Sequence, residues 1–275
     1  MRRAAVAGSW YPGTAKAIVA EVEAYLERIT TKPPPGRLVA LISPHAGLRY
    51  SGPVAAHAYA GLQGRADLTV VLVGPSHHFA FDGIALWARG AFETPLGQTP
   101  FDEALTGALL AESEALVDGR RPHLEEHSLE MQLPFLQALC PGLQIVPALM
   151  GRQTRASVSA LASALASVVP RSPRPVVLVA SSDLSHYHAA PVANRLDALV
   201  VDDVARFDPD RLMSRLEEEP EHACGGGPIV SVLSAARALG ATHSAVLRYA
   251  DSGDVGERDK SRVVGYLAAV LLESA

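Results

Sequence analysis

The chain has 275 residues, of which 48% are hydrophobic and 19% are charged, so a compact globular protein is expected rather than a disordered one. The net charge of −5 argues against nucleic-acid binding, which relies on a basic surface, and no run of about 18 apolar residues predicts a membrane-spanning helix. Two cysteines are too few for a disulfide framework, and we therefore expect a cytoplasmic protein with reduced thiols.

Helices and strands alternate along the whole chain. Helical spacing of apolar residues predicts helices at Ala15–Ile29, Gly52–Leu62, Phe101–Glu112, Glu125–Leu139, Thr154–Val169, Ala190–Arg206, Pro209–Glu218 and Ile229–Leu239. Short apolar runs predict strands at Leu38–Ser43, Thr69–Val73, Gly83–Ala88, Ala115–Asp118, Gln144–Met150, Val176–Ala180 and Ser244–Tyr249. We expect a loop at Ala91–Pro100, whereas Arg262–Leu272 is compatible with a strand or a helix. The order predicts an α/β fold with a layered, mostly parallel or mixed sheet and helices on both faces, in a single domain over residues 1–275.

Three of the predicted strands end in short turns that carry histidine. LVALISPH ends at His45, VVLVGPSHH ends at His77 and His78, and VVLVASSDLSH ends at His186, with His188 two residues later. Five of the ten histidines lie in these three segments. Because ligands bind at the carboxyl ends of strands in open α/β sheets, we expect a histidine-lined pocket at one edge of the sheet.

The pocket can supply nitrogen and sulfur ligands for a metal. Two neutral imidazoles, from His45 and from either His77 or His78, together with a Cys224 thiolate, can hold zinc, iron or copper. The candidate ligands come from separate loops, so their spacing alone does not establish a site. The joint placement of histidines at strand ends favours a functional pocket.

The third strand end places a carboxylate and an imidazole three positions apart, at Asp183 and His186. We expect His186 to face the same cavity without being a metal ligand. The nearby Asp183 carboxylate would orient its ring and favour a proton-carrying role.

Two further segments contain residues that suit such a site. His127 and Glu130 are three positions apart in the predicted helix Glu125–Leu139, so they share a face. They would either support the pocket from outside the ligands or form a capping interaction in the first turn. Cys224, in ACGGGP, precedes a helix whose N-terminus favours a thiolate, and we expect it to be reactive when metal is absent. Cys140 ends an apolar helix and is expected to be buried and slow to react.

Seven segments give the chain a resemblance to a known family. They are AGSWYPG, SPHAGLRYSG, AAHAY, LVGPSHH, EEHSLEMQLPF, SSDLSHY and CGGGPI, and they span nearly the whole chain in this order. The chain resembles the Memo family, called AmmeMemoRadiSam system protein B in prokaryotes. The resemblance implies a fold similar to class III extradiol dioxygenases, which are non-haem iron enzymes that cleave catechol rings.

The family pattern also implies roles for individual residues. Metal ligands would fall on His45, His77 and Cys224, with Asp183 and His186 beside them and His186 in the position of an acid/base histidine. The dioxygenases complete their metal site with a carboxylate, whereas the Memo pattern offers the thiol of Cys224, which shifts metal preference towards copper or zinc. The resemblance also implies work alongside a radical-SAM protein and a partner of the AMMECR1 type.

Three functions remain open from the sequence. The first is a metal-dependent oxidoreductase with iron or copper. The second is a non-enzymatic protein that binds a peptide or partner, or carries metal. The third is a zinc-dependent hydrolase with metal-activated water and His186 as general base. The sequence identifies neither the small molecule or peptide that would bind nor the inner ligand among His77 and His78.

Overall fold

The computed structural model describes residues 1–30, 34–256 and 258–274. The helices are α1 (Ala15–Leu26), α2 (Leu48–Tyr59), α3 (Glu103–Glu112), α4 (Leu133–Leu139), α5 (Arg155–Val168), α6 (Ala190–Ala205), α7 (Pro209–Glu218), α8 (Gly226–Ala238) and α9 (Ser252–Val255). The strands are β1 (Arg37–Ser43), β2 (Thr69–Pro75), β3 (Ile84–Leu86), β4 (Ala91–Thr94), β5 (Gly97–Pro100), β6 (Leu116–Asp118), β7 (Gln144–Met150), β8 (Val176–Ser181), β9 (His186–His188), β10 (His243–Asp251) and β11 (Val263–Glu273).

The large sheet has the strand order β10-β11-β1-β8-β2-β7-β3-β6, and β9 pairs with β11 at its margin. The four central strands β1, β8, β2 and β7 run parallel to one another. Strands β11 and β3 flank them in the antiparallel direction, so the sheet is mixed. Ser43 lies opposite Ser181, and Pro75 lies opposite Met150, so the carboxyl ends of the central strands meet along one edge.

Helices cover both faces of this sheet. Alternate residues of β2 enter different cores, because Val71 and Val73 pack with α3, α5, α6, α7 and α8, while Val70 and Leu72 pack with α1, α2 and α4. Burial on both faces explains the continuous apolar runs of the central strands. The predicted fold class, an α/β fold with a mixed sheet and helices on both faces, is confirmed.

Two local predictions are wrong. The predicted helix Glu125–Leu139 is helical only in its last part, as a 3₁₀ turn at Glu130–Gln132 followed by α4. Pro134 lies in the first turn of α4, where proline is tolerated, and so marks the start of the helix rather than a bend within it. The predicted loop Ala91–Pro100 is a hairpin of β4 and β5, whose turn uses Gly97 with a φ of 113°.

The structure also settles the conformation of the last apolar segment and bears on membrane-spanning helices. The segment Arg262–Leu272 forms strand β11, which pairs with both β1 and β10. Among the described residues, no helix is both long and apolar enough to cross a membrane.

Candidate metal centre

Three imidazoles meet where the central strands end. His45 follows β1, His77 follows β2, and His127 lies in the irregular segment before α4. One ring nitrogen from each can be chosen so that all three nitrogens lie within 4.8 Å of one another. A metal ion bound to three imidazoles at about 2.0–2.1 Å holds the nitrogens roughly 3.4 Å apart in a tetrahedral site, so small shifts of the rings would let one ion bind all three. The donor set therefore fits a single transition-metal ion.

The His45 ring is buried and fixed from two sides. Its backbone N–H donates to Asp183 Oδ1 at 2.8 Å, and its Nδ1 lies 2.9 Å from Ser181 Oγ. Burial lowers the pKa of His45 well below the usual range, and the neighbouring His77 and His127 rings lower it further. The ring is therefore neutral at pH 7, as a metal ligand must be.

The other two rings are held by one carboxylate, that of Glu126. Its Oε1 lies 2.8 Å from His77 Nδ1 and 3.4 Å from His127 Nδ1. It also accepts the backbone N–H groups of His77 at 2.5 Å, and of His127 and Ser128 at 2.9 Å each. Burial alone would raise the pKa of Glu126, but these hydrogen bonds and the His77 ring outweigh it and hold the pKa far below its usual range. Glu126 is thus a fixed negative charge behind the two rings.

The side of each ring that is left for a metal follows from these contacts. His45 Nδ1 faces Ser181, and the Nδ1 atoms of His77 and His127 face Glu126. Each Nε2 is therefore the nitrogen available to a metal. Burial also lowers the pKa of His127, to about 4, which keeps this ring neutral at pH 7. Carboxylates that hold metal-binding histidines in this way orient the rings and make the ligands more basic.

The centre lies on a cleft of about 860 Å³, and the N-terminal segment forms one of its walls. The Trp10 ring packs against His127 with their centroids 4.3 Å apart. The buried carboxylate of Glu130 anchors this segment, since it accepts from Arg2 Nη1 at 2.6 Å and from the Tyr11 hydroxyl at 2.7 Å. His127 and Glu130 do not share a helical face as expected, because the segment is not helical at His127: His127 lines the cleft, whereas Glu130 binds the N-terminal segment.

Asp183 and His186 both line this cleft, as expected. The orientation of His186 has a different cause, since its Nδ1 lies 2.8 Å from the Leu184 carbonyl oxygen. A carbonyl can only accept, so Nδ1 carries the proton and Nε2 is left as a proton acceptor. The Asp183 carboxylate instead accepts the backbone N–H groups of His45 and Ala46, at 2.8 and 3.3 Å, and so fixes the loop that carries His45. Burial raises the pKa of Asp183.

Cys224 adjoins the centre at the His45 ring. Its Sγ lies 3.2 Å from His45 Nε2 and accepts the Asp183 backbone N–H at 3.3 Å. The thiol is not a member of the three-imidazole group, and its role as a ligand stays a prediction. Desolvation raises the pKa of Cys224 well above its usual value, and the Asp183 charge raises it further. The expected shift towards thiolate in the metal-free protein is therefore opposed, because burial outweighs the effect of the helix N-terminus.

Of the two adjacent histidines, His77 is the one that enters the group. His78 is exposed, and its ring centroid lies 6.3 Å from that of His127. Sequence reasoning missed His127 as a member of this three-imidazole group and Glu126 as the carboxylate behind it. A signal was present in Pro134, because a proline at the start of a helix places Glu126 and His127 in the preceding loop.

Together, the mixed α/β sheet and the three imidazoles at its edge define a protein with a candidate transition-metal centre. A profile described as "Memo-like protein" matches residues 2–270, and the chain belongs to the Memo family. It is 36% identical to a MEMO1 family protein of Methanothermobacter thermautotrophicus, over 97% of this chain and 98% of that protein. It is 38% identical to a MEMO1 family protein of Methanosarcina acetivorans, over 99% of both chains.

A solved structure shares the fold. The crystal structure of protein JW3007 from Escherichia coli K12 superposes with a TM-score of 0.55 and 18% sequence identity. The match covers 84% of this chain and 99% of that one. The more specific similarity to class III extradiol dioxygenases stays a prediction.

Proposed function

We propose that this Memo-family protein binds one transition-metal ion through the Nε2 atoms of His45, His77 and His127, and acts as an oxidoreductase on a small molecule in the cleft. The observation that carries the proposal is that the Nδ1 atom of each ring faces Ser181 or Glu126, which leaves Nε2 for a metal; at His45 the neighbour of Nε2 is the Cys224 sulfur, 3.2 Å away. Imidazole ligands suit iron, copper and zinc, and a sulfur atom 3.2 Å from His45 Nε2 shifts this preference towards copper or zinc, of which copper is redox-active.

The protein groups around the ion have separable tasks. When bound, such a metal would supply redox chemistry at a position open to the cleft. Glu126 holds the His77 and His127 rings, and Asp183 holds the loop of His45. His186 Nε2 can accept a proton from a molecule in the cleft.

A zinc-dependent hydrolase is the second candidate, and one observation favours it. Three imidazoles without a carboxylate ligand form the donor set of well-known zinc enzymes that activate water. In that case His186 would act as general base. Metal content and oxygen consumption separate the two: redox-active iron or copper with oxygen uptake supports the first candidate, and zinc without oxygen uptake supports the second.

The ligand set is tested by titrating metal-free protein with Zn²⁺ against a chromophoric chelator. Zinc sites of four ligands are worth about 10–16 kcal/mol, or roughly 3 kcal/mol per ligand, so His45→Gln, His77→Gln and His127→Gln should each weaken binding about 100-fold. His78→Gln is the matched control, since this neighbour lies outside the group, and it should bind as tightly as the unmodified protein. Unchanged affinity in His127→Gln would remove His127 from the ligand set.

Cys224 is tested by counting protons. Neutral imidazoles release no proton when they bind a metal, whereas a thiol must lose one. Calorimetric titration with Zn²⁺ in buffers of different ionisation enthalpy gives the number released. Equal counts in the unmodified protein and in Cys224→Ser are expected for three imidazole ligands, and one additional proton in the unmodified protein would show that Cys224 binds the metal.

A further inference from the structure

The hydrogen bonds behind His45 determine which of its nitrogens carries the proton. His45 Nδ1 and Ser181 Oγ lie 2.9 Å apart, and either atom could in principle donate. The direction matters, because a neutral imidazole has one N–H and one lone pair. Only the form protonated on Nδ1 presents the Nε2 lone pair to a metal.

The Ser181 hydroxyl has a single proton, and it donates this proton in a hydrogen bond to a neighbouring carbonyl oxygen. Ser181 Oγ lies 2.6 Å from the carbonyl oxygen of Ser128, which can only accept. If the hydroxyl donated to His45 instead, two oxygen lone pairs would face each other at that distance. The hydroxyl therefore donates to Ser128, and its oxygen accepts from the other neighbours.

The contacts of Gln132 support the same assignment, in which Ser181 Oγ accepts from His45 Nδ1. Its Nε2 lies 2.7 Å from Ser181 Oγ and 3.0 Å from the carbonyl oxygen of Pro44, while its Oε1 accepts the Tyr59 hydroxyl at 2.6 Å. The Pro44 carbonyl and the Tyr59 hydroxyl fix which end of the amide is nitrogen. Gln132 therefore donates to Ser181 Oγ, as the ring of His45 must also do.

We infer that Ser181 and Gln132 are positioning residues that hold His45 in the Nδ1–H form and so direct its Nε2 lone pair into the metal centre. All of the groups in this network are buried, so water does not compete for them. In the metal-free protein the lone pair faces Cys224 Sγ, 3.2 Å away, and the thiol can donate to it rather than to the Asp183 carbonyl oxygen, which lies farther from Sγ at 3.5 Å. The inference rests on the proposed metal site, but its first test requires no metal.

That test is the ¹⁵N spectrum of the histidine rings in the metal-free protein. With ¹⁵N-histidine labelling and the His45 signals assigned by their loss in His45→Gln, Nδ1 should resonate as a protonated nitrogen and Nε2 as an unprotonated one. A protonated Nε2 in the unmodified protein would overturn the inference. This measurement needs no folded variant of Ser181.

The second test compares variants of two buried serines, one inside the network and one outside it. Ser181→Ala should shift His45 towards the Nε2–H form and weaken Zn²⁺ binding about 10–100-fold, the usual effect of removing a group that orients a metal ligand. Ser231→Ala is the control, because Ser231 is an equally buried serine whose Oγ lies 3.4 Å from the Val158 carbonyl oxygen, outside the network of Ser181 and Gln132. Ser181→Thr keeps the hydroxyl and should restore both the spectrum and the affinity.

The outcomes separate the two proposals. Zn²⁺ affinity in Ser181→Ala within twofold of that in Ser231→Ala would overturn the positioning role even if the metal site is real. If the unmodified protein binds no metal, the proposed function fails, and the positioning role towards a metal fails with it, whatever tautomer the spectrum shows.

Discussion

Replacing Glu126 by glutamine should weaken metal binding without removing any ligand. Both oxygens of the Glu126 carboxylate accept hydrogen bonds. Oε2 accepts the backbone N–H of His77, and Oε1 accepts from the His77 ring and from the backbone N–H groups of His127 and Ser128. A glutamine can keep its carbonyl oxygen at the Oε1 position, but its NH₂ then faces the His77 backbone N–H as a second donor. At least one hydrogen bond to a charged acceptor is lost, which is worth about 1.5–3 kcal/mol.

Part of this loss should be visible in the metal affinity, because the His77 and His127 rings lose the group that orients them. Comparable changes next to metal-binding histidines cost about 10–100-fold in affinity. The assay is competition for Zn²⁺ with a chelator, on metal-free Glu126→Gln protein that retains its circular dichroism spectrum. Glu125→Gln is the matched control, since Glu125 is the exposed neighbour of Glu126. Equal affinities of the two variants would refute the orienting role of Glu126.

The same substitution predicts a dependence of stability on pH. The folded-state pKa of Glu126 lies below its ordinary value of 4.5, so the charged carboxylate stabilises the folded protein at pH values above 4.5. This stabilisation is lost as the pH falls from 4.5 towards the lowered folded-state pKa. The difference in unfolding free energy between the unmodified protein and Glu126→Gln should therefore shrink below pH 4.5, as urea unfolding of the metal-free proteins would show. A difference that is constant with pH would contradict the assigned charge.

Three further outcomes follow from the structure. Arg2→Met should lower the free energy of unfolding by about 3–5 kcal/mol, because it leaves a buried carboxylate without its partner, whereas the exposed Arg3→Met should change it little; equal urea midpoints would contradict this. Gly107→Ala should stabilise the protein by up to about 1 kcal/mol in thermal unfolding, since the added methyl group meets nothing within 4 Å in helix α3. Neither Cys224 nor Cys140 should react quickly with an alkylating reagent at neutral pH, because burial raises the pKa of both thiols, that of Cys140 to about 11. Rapid labelling of Cys224 would contradict this and would support the thiolate expected from the sequence.

The parts of the fold that the sequence predicts well are those with a strong local cause. Strand β7 has the predicted bounds Gln144–Met150, and helix α7 has the predicted bounds Pro209–Glu218. An apolar run between turn residues allows little besides a buried strand, and an aspartate before a proline is a strong signal for the start of a helix. The ends of β1, β2 and β8 were predictable for the same reason, and with them the positions of His45 and His77.

The predictions that failed depend on contacts between distant segments. The stretch around His127 has helical spacing, but the Glu126 side chain binds the backbone N–H groups of His127 and Ser128, and so competes with helix formation. The non-helical conformation is also stabilised by the contact between Glu126 and His77. His77 lies 49 positions away in the sequence, so no local pattern indicates this contact. Likewise the helix-terminus rule for Cys224 is sound in isolation, but it takes no account of the burial that only the folded chain produces.

The protonation states of the groups around the centre suit the binding of a cation. The rings of His45 and His127 are neutral at pH 7 because burial, and in His45 also the neighbouring imidazoles, lower their pKa values. The thiol of Cys224 is held protonated, while the negative charge of Glu126 is kept at all ordinary pH values. An incoming metal therefore meets neutral rings at His45 and His127, with the fixed anion of Glu126 behind His77 and His127. Because protonation of His45 or His127 would place a cation where the metal should lie, metal affinity should fall as the pH is lowered, which chelator competition at several pH values would show.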